Sequence, residues 1–158
     1  MFERIIVGVD AEGAADHAVV AAGRLAERFG GSLEYVHSIP VALRAWSGPA
    51  VQAWEAARES VIGLAREACA QRVDAALEGA GLKAPKAGDS MKVVEGNPAQ
   101  ALLEQRAGER DLLVLGGHRE LGVLHLGSTA RGVLGGSDSP VWVQSHAPVP
   151  LSEGKGRS

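Results

Sequence analysis

Cysteine is almost missing from this 158-residue sequence: Cys69 is the single one, so no disulfide can form within the chain. One thiol suits the reducing cytosol, and we expect a cytoplasmic protein. No apolar run approaches the roughly 20 residues that cross a bilayer, and no charged segment followed by a long apolar one opens the chain. We therefore expect neither a membrane span nor a secretory signal. The net charge of −3 leaves no basic excess, which argues against nucleic acid as a partner.

Motifs of the common nucleotide-using and hydrolytic enzymes are missing as well. The sequence has no G-x-x-x-x-G-K-[ST], no G-x-G-x-x-G and no G-x-S-x-G. Near the glycine-rich segment after residue 115 the only arginines or lysines are Arg119 and Arg131, whereas phosphoryl transfer needs positioned positive charge. His118 and His125 have no cysteine or second carboxylate at ligand spacing, so we expect no metal site. We expect no efficient catalysis, and a weak ATPase stays open.

What the sequence does contain is an alternation of strand and helix patterns. We predict strands at residues 4–9, 32–37, 91–95, 112–115 and 140–144, and helices at 14–29, 51–78, 99–107 and 129–134. This alternation predicts one α/β domain, residues 1–146, with a mostly parallel sheet covered by helices on both faces. Residues 147–158 are mostly small, proline and charged residues, which predict a disordered tail.

The segment after the fourth predicted strand is rich in glycine. Gly116 and Gly117 follow the apolar run directly, and Gly127-Ser128-Thr129 precedes the last predicted helix. Exposed backbone N–H groups and the positive end of a helix dipole both favour a phosphate there. In a parallel sheet, ligands bind beyond the carboxyl ends of the strands where the winding reverses. Asp10, at the end of the first strand, faces this segment if the spatial strand order is 3-2-1-4-5, one of several orders that the pattern permits.

Several segments resemble the universal stress protein family. Four features match that family's motifs in order. They are the opening strand with its aspartate (Arg4–Asp10), the turn before the third helix (Val94–Ala99), the two parts of the glycine segment (Asp111–Gly116 and Gly127–Ser128) and the last strand (Ser139–Val143). The resemblance covers about residues 3–145. It implies a five-stranded parallel sheet of order 3-2-1-4-5, doubly wound as in adenine nucleotide alpha hydrolases. It also implies a homodimer that pairs the fifth strands, here through Val141, Trp142 and Val143.

The resemblance further implies an adenine nucleotide, ATP or AMP, as the ligand. Carried over residue by residue, it places the nucleotide against Val9, Asp10, Ser38, Leu115, Gly116, Gly117, Gly127, Ser128, Thr129 and Ala130. Asp10 would lie beside the ribose or a Mg²⁺-bound phosphate. Ser38 falls where an apolar residue usually touches adenine, and Glu12 falls where a serine often follows the aspartate. A carboxylate near phosphates repels them unless Mg²⁺ intervenes.

The glycine segment departs from the family's spacing. In nucleotide-binding members, two glycines separated by two residues precede nine residues and then Gly-Ser or Gly-Thr; from Gly116 to Gly127 this chain is two residues too short. Either Gly117 is the second glycine, which keeps the nine-residue spacer, or Arg119 occupies that position and the later loop is shorter. The shorter loop also resembles members that do not bind ATP. Two functions therefore stand: a stress-response module that binds ATP or AMP, and a nucleotide-independent dimeric interaction protein.

Each candidate residue also has a purely structural explanation. Asp10 and Ser128 are common cap residues at the start of a helix, and adjacent glycines often form a tight turn. His37 lies in a strand and is more often a core histidine than a catalyst. Leu64 and Cys69 lie on the apolar side of the long second helix, which predicts that both pack in the core.

Overall fold

The computed structural model of the chain describes residues 1–11, 13–39, 48–105, 108–120 and 123–145, with the backbone alone for 118–120 and 123–125. The expectations for Glu12 and for the tail at 147–158 lie outside these residues. Eleven elements follow in chain order: β1 (Arg4–Gly8), α1 (Asp16–Phe29), β2 (Ser32–Ile39), α2 (Pro49–Gly79), a 3₁₀ turn (Ala87–Ser90), β3 (Met91–Glu95), α3 (Pro98–Gln105), β4 (Asp111–Glu120), β5 (Val123–His125), α4 (Ser128–Gly136) and β6 (Val141–Ser145).

The sheet has the predicted strand order. Five strands run parallel in the order β3-β2-β1-β4-β6, so β1 and β4 are central neighbours and β6 is the fifth parallel strand. The winding reverses between β1 and β4, because the chain moves outward through β2 and β3 and then returns to the other side of β1. The predicted order 3-2-1-4-5 in a doubly wound α/β fold is confirmed.

Helices cover both faces of this sheet, and the period of two along each strand divides its apolar residues between two cores. Ile5 and Val7 of β1 pack with α1 and α2, whereas Ile6 faces the opposite way and packs with α3 and α4. All three side chains are fully buried. The same alternation recurs in β4, whose Leu112 faces the first core and Leu113 the second. A continuous apolar run is therefore what a strand covered on both faces requires.

The segment predicted as an open loop after residue 115 is partly strand instead. β4 continues through both glycines to Glu120 and then pairs antiparallel with β5 in a short hairpin. Gly117 is also paired with Ser145 of β6. Ladder pairing satisfies backbone N–H and C=O groups, so the glycines extend the sheet and do not form a tight turn.

Helix α2 is packed along its second half only. Cys69, Val73 and Leu77 are buried against the first core, as predicted, but Leu64 is 67% exposed. No residue of α2 before Cys69 is fully buried. The core prediction for Leu64 is therefore wrong, because helical periodicity continues beyond the point at which the helix leaves the core. Within the part of the chain that the structure describes, no helix is long and apolar enough to span a bilayer.

Candidate functional site

A cleft of about 340 Å³ opens at the carboxyl ends of the central strands, where the winding reverses. Its lining residues come from the ends of β1, β2 and β4 and from the beginnings of α3 and α4; they are Gly8, Val9, Asp10, Ala14, Ala15, Val36, His37, Ser38, Pro98, Leu102, Leu115, Gly116, Gly117, Gly127, Thr129 and Ala130. Most of the wall is apolar, with a few polar groups at its edge. Such a mixture is typical of pockets for small organic ligands of this size.

Nine of the ten residues predicted for the nucleotide site line this cleft, and Ser128 is the exception. Strand order explains the convergence, because β1 and β4 are neighbours and residues distant in sequence meet at their ends. Ser128 is exposed and is the first residue of α4. Gly127 occupies the N-cap position of that helix, and no side chain caps it. The cap role considered for Ser128 is therefore not observed.

The Asp10 side chain holds the turn between β1 and α1. Its Oδ1 accepts hydrogen bonds from the backbone N–H groups of Gly13 at 2.7 Å and Ala14 at 3.2 Å. Two backbone amides of this turn are thus bound by the protein's own carboxylate. The structural role considered for Asp10 is present, and the same side chain also lines the cleft.

Gly116 allows this turn to pack directly against β4. A methyl group at residue 116 would lie 3.3 Å from the Ala14 carbonyl oxygen and 3.7 Å from the Ala15 Cα. The close neighbour that explains this glycine is therefore the protein's own backbone. A larger side chain at residue 116 would push the turn outward and change the shape of the cleft.

The N-terminus of α4 supplies backbone donors on the other side of the cleft. The Arg131 N–H bonds to the Gly127 carbonyl as the first hydrogen bond of the helix at 3.1 Å. The three preceding amides, at residues 128–130, have no acceptor within the helix, because the first turn of any helix leaves them unpaired. A negative group placed there gains from those donors and from the helix dipole.

His37 and Ser38 form the polar part of the cleft at the end of β2. The His37 Nδ1–H donates to the Val9 carbonyl at 2.9 Å, which leaves Nε2 as the acceptor of the neutral ring. The Ser38 hydroxyl donates to the Gly96 carbonyl, so it ties β2 to the turn after β3. Neither residue is fully buried.

Sequence reasoning missed seven of the lining residues: Gly8, Ala14, Ala15, Val36, His37, Pro98 and Leu102. The signal for His37 was its position next to Ser38 at the end of a strand, since strand ends in parallel sheets converge on one edge. The His37 ring is partly buried and also lines the cleft, so the residue is not wholly inside the core. Pro98 and Leu102 show helix-start and apolar patterns that do not distinguish a cleft wall from a core.

Charge at this edge of the sheet is sparse and already paired. The lining described by the structure contains one carboxylate, Asp10, and neither lysine nor arginine. Arg72 lies against Gly13, and its Nε–H and Nη2–H groups donate to the two Asp16 carboxylate oxygens at 3.2 and 2.9 Å. This contact raises the pKa of the guanidinium. The Arg131 Nε–H donates to the Leu126 carbonyl at 2.9 Å.

The model of the universal stress protein family matches residues 1–144. The chain belongs to the universal stress protein family. A search of curated protein sequences finds no match.

Three solved universal stress proteins illustrate the shared fold. One in complex with cAMP has a TM-score of 0.60 at 22% identity, over 92% of this chain and 98% of its own. UspA from Lactobacillus plantarum has a TM-score of 0.61 at 18% identity, over 91% of this chain and 99% of its own. The protein from Archaeoglobus fulgidus in complex with dAMP has a TM-score of 0.57 at 15% identity, over 90% of this chain and 98% of its own.

The universal stress protein described here does not present a preformed metal site in its described residues, where no three His, Cys, Asp or Glu side chains cluster. Among the residues that the structure describes, Asp10 is the one carboxylate of the cleft lining. A single carboxylate fits Mg²⁺ only when phosphates and water supply its other ligands, which is how Mg²⁺ commonly binds with nucleotides.

Proposed function

We propose that this universal stress protein binds an adenine nucleotide, ATP or AMP, in the cleft and does not turn it over efficiently. The observation that carries the proposal is that the apolar wall of the cleft lies beside the α4 N-terminal amides, which have no acceptor within the helix. Val36, Pro98 and Leu102 offer a surface for a flat base, and the amides at residues 128–130 offer donors for a phosphate. Relatives in complex with cAMP and dAMP support the choice of an adenine nucleotide.

Binding without efficient turnover follows from the charges around the cleft. Phosphoryl transfer requires cations on the transferring group, and the described lining has neither lysine nor arginine. With Mg²⁺ on the phosphates, Asp10 would serve as its single protein ligand. We expect no measurable phosphate release from ATP. Phosphate release that Asp10→Ala abolishes would instead establish a weak ATPase.

The proposed site is tested by calorimetric titration with AMP and with ATP plus Mg²⁺. Both should bind saturably to the wild type. Gly127→Val with Ser128→Ala should abolish binding, because the valine side chain would cover the helix N-terminus. No heavy atom lies within 4 Å of a Cβ at residue 127, so the fold should tolerate it. Gly135→Val, in the last turn of α4 and equally unobstructed, is the matched control and should bind normally.

The second candidate is the nucleotide-independent dimeric interaction protein, and the Asp10 contacts favour it. Two turn amides are already occupied by Asp10 Oδ1, and β4 continues as a hairpin where the motif of nucleotide-binding members has a longer glycine loop. Absence of binding heat and of any thermal shift at millimolar ATP and AMP would select this candidate. Co-purifying nucleotide, detected by mass spectrometry, would select the first.

A homodimer through β6 is part of both candidates. Within the described residues β6 pairs with β4 alone, so its outer edge is open to a second strand. Trp142 is 44% exposed there, between the half-buried Val141 and Val143. Edge-to-edge pairing would cover this tryptophan and satisfy the edge backbone groups. Light scattering should show a dimer for the wild type and a monomer for Trp142→Glu, whereas Leu64→Glu, at an exposed residue of α2, should remain a dimer.

The cellular role that we propose is based on membership of the family. We propose a stress-response protein of the cytoplasm, consistent with its single, buried thiol. The domain is proposed to span residues 1–146, which extends just past the family match at residue 144. No nucleic acid or membrane is proposed as a partner.

A further inference from the structure

A second cavity lies at the opposite edge of the sheet from the cleft, where β2 begins. Its volume is about 270 Å³, and it is enclosed by the second half of α1, the first residues of β2 and the chain at residues 83–85. The small residues Gly23 and Ala26, one helical turn apart on α1, leave room for it. None of its described lining residues is shared with the cleft.

Tyr35 lies at the inner end of this cavity. The residue is 2% exposed, whereas most of the other lining residues are partly or fully exposed, so Tyr35 belongs to the floor of the cavity. Within the part of the chain that the structure describes, no group makes a hydrogen bond with the Tyr35 hydroxyl. Nearly all buried polar groups in proteins are paired, because an unpaired one loses its hydrogen bonds with water and gains none. A ligand in the cavity would supply the missing partner.

The charges around the cavity favour an uncharged ligand with a hydrogen-bond acceptor. Burial and the charge of the Asp74 carboxylate raise the pKa of the Tyr35 phenol to about 12, so the phenol keeps its proton at neutral pH and can donate. Asp74 itself accepts a hydrogen bond from the Ala87 N–H at 2.9 Å. Glu27 and Lys83, the charged residues of the described lining, are exposed and opposite in sign. Their charges sum to zero, so the lining prefers neither an anion nor a cation.

We propose that this cavity is a second ligand site, for an uncharged molecule about the size of one substituted ring that carries a carbonyl group. Apolar lining residues such as Ala26, Leu33 and Pro85 would contact the ring, and the Tyr35 hydroxyl would donate to the carbonyl oxygen. The volume is sufficient, since an engineered apolar cavity of roughly 150 Å³ in another protein binds benzene. The site is independent of nucleotide binding in the cleft.

NMR titration with acetophenone tests the site. Ethylbenzene, which has nearly the same shape but no carbonyl, is the matched control ligand. Tyr35 is the only tyrosine of the chain, so a ¹³C label at the tyrosine Cζ gives one signal, and that signal reports on this hydroxyl. We expect acetophenone to shift it saturably, with a dissociation constant on the order of 1 mM for a ligand of this size. The amides of Gly23 and Leu33 should shift in parallel, and the amide of Gly127 at the cleft should not.

Two variants test the role of the hydroxyl. Tyr35→Phe removes it and keeps the ring, and Ser60→Ala removes an exposed hydroxyl of α2 outside the cavity lining. Measured at the Gly23 and Leu33 amides, acetophenone should bind Tyr35→Phe roughly five- to tenfold more weakly than the wild type, because one hydrogen bond is lost. Ethylbenzene should bind all three proteins equally, and Ser60→Ala should bind acetophenone as the wild type does.

Two results would overturn the proposal. If acetophenone causes no saturable shift of the wild-type Tyr35 signal, or shifts the Gly127 amide and leaves that of Gly23 unchanged, the cavity is not a ligand site. Equal affinities of acetophenone for the wild type and for a folded Tyr35→Phe variant would show that the hydroxyl does not recognise the carbonyl. The wild-type titration decides whether the site exists even if the variant does not fold.

Discussion

Alkaline pH should destabilise this protein because two buried acidic groups retain their protons in the folded state. Tyr35 is 2% exposed, and burial raises the pKa of its phenol from 10.0 to about 12. Cys69 is fully buried, and burial together with the Asp10 carboxylate raises the pKa of its thiol from 9.0 to about 11. Both groups ionise at their ordinary values once the chain unfolds.

The sign and size follow from proton linkage. Between the unfolded and folded pKa values, the unfolded chain releases protons that the folded chain retains, so the free energy of unfolding falls as pH rises. At about pH 10.5 the Cys69 shift lowers it by about 2 kcal/mol and the Tyr35 shift by about 1 kcal/mol. At neutral pH both groups are protonated in both states and contribute nothing.

Urea unfolding, followed by circular dichroism at neutral pH and near pH 10.5, measures this loss. We expect about 3 kcal/mol for the wild type, about 1 kcal/mol for Cys69→Ala and about 2 kcal/mol for Tyr35→Phe, each relative to the same protein at neutral pH. Tyr35→Phe should be at least as stable as the wild type at neutral pH, because the Tyr35 hydroxyl is buried without a hydrogen-bond partner among the described residues. Equal losses in the wild type and Cys69→Ala would refute the reasoning.

Two further substitutions test the packing that positions the site. Asp111→Ala should lower the free energy of unfolding by about 3 kcal/mol, because both oxygens of this buried carboxylate accept hydrogen bonds from Arg4, at 2.6 and 3.1 Å. Gly13→Ala should cost about 2 kcal/mol, because residue 13 has a φ of +92° and the methyl group, 2.0 Å from the Arg72 guanidinium, would displace that side chain from Asp16. Urea unfolding measures both.

Matched controls separate the proposed causes. Glu3→Ala breaks an ion pair with Arg110 in which both side chains are exposed, and it should cost less than about 1 kcal/mol. Residue 81 has a φ of +71°, and no heavy atom lies within 4 Å of a methyl group added there. The loss of stability in Gly81→Ala should therefore come from backbone strain alone. A loss for Asp111→Ala no larger than that for Glu3→Ala would contradict the buried-pair explanation. A loss for Gly13→Ala no larger than that for Gly81→Ala would contradict the clash.

Strand order and the location of the cleft could be predicted because they depend on features that a sequence carries directly. Runs such as Leu112–Leu115 indicate strands buried on both faces, and matching family motifs arrange those strands in space. Once β1 and β4 are neighbours, Asp10 and Gly116 must meet at one edge. The nine cleft residues that were predicted come from the residue-by-residue resemblance to the family.

What could not be predicted depends on contacts between distant segments. The partner of Gly117 is Ser145, and no local pattern at either residue reveals that β4 continues to pair with β6. Asp10 has the residue type of both a ligand contact and a turn cap, and only the short distance to the Gly13 amide reveals the cap. Leu64 has core periodicity, but its burial depends on where helix α2 leaves the sheet.

The central claim is that a nucleotide binds where the end of β1 meets the beginning of α4. Calorimetric titration of the wild type with AMP, beside the Gly127→Val, Ser128→Ala double variant, tests it most directly. We predict one saturable site per chain in the wild type, none in the double variant, and retained binding in Gly135→Val. Equal binding by the wild type and a folded double variant, or no binding by the wild type at millimolar AMP and ATP, would contradict the claim.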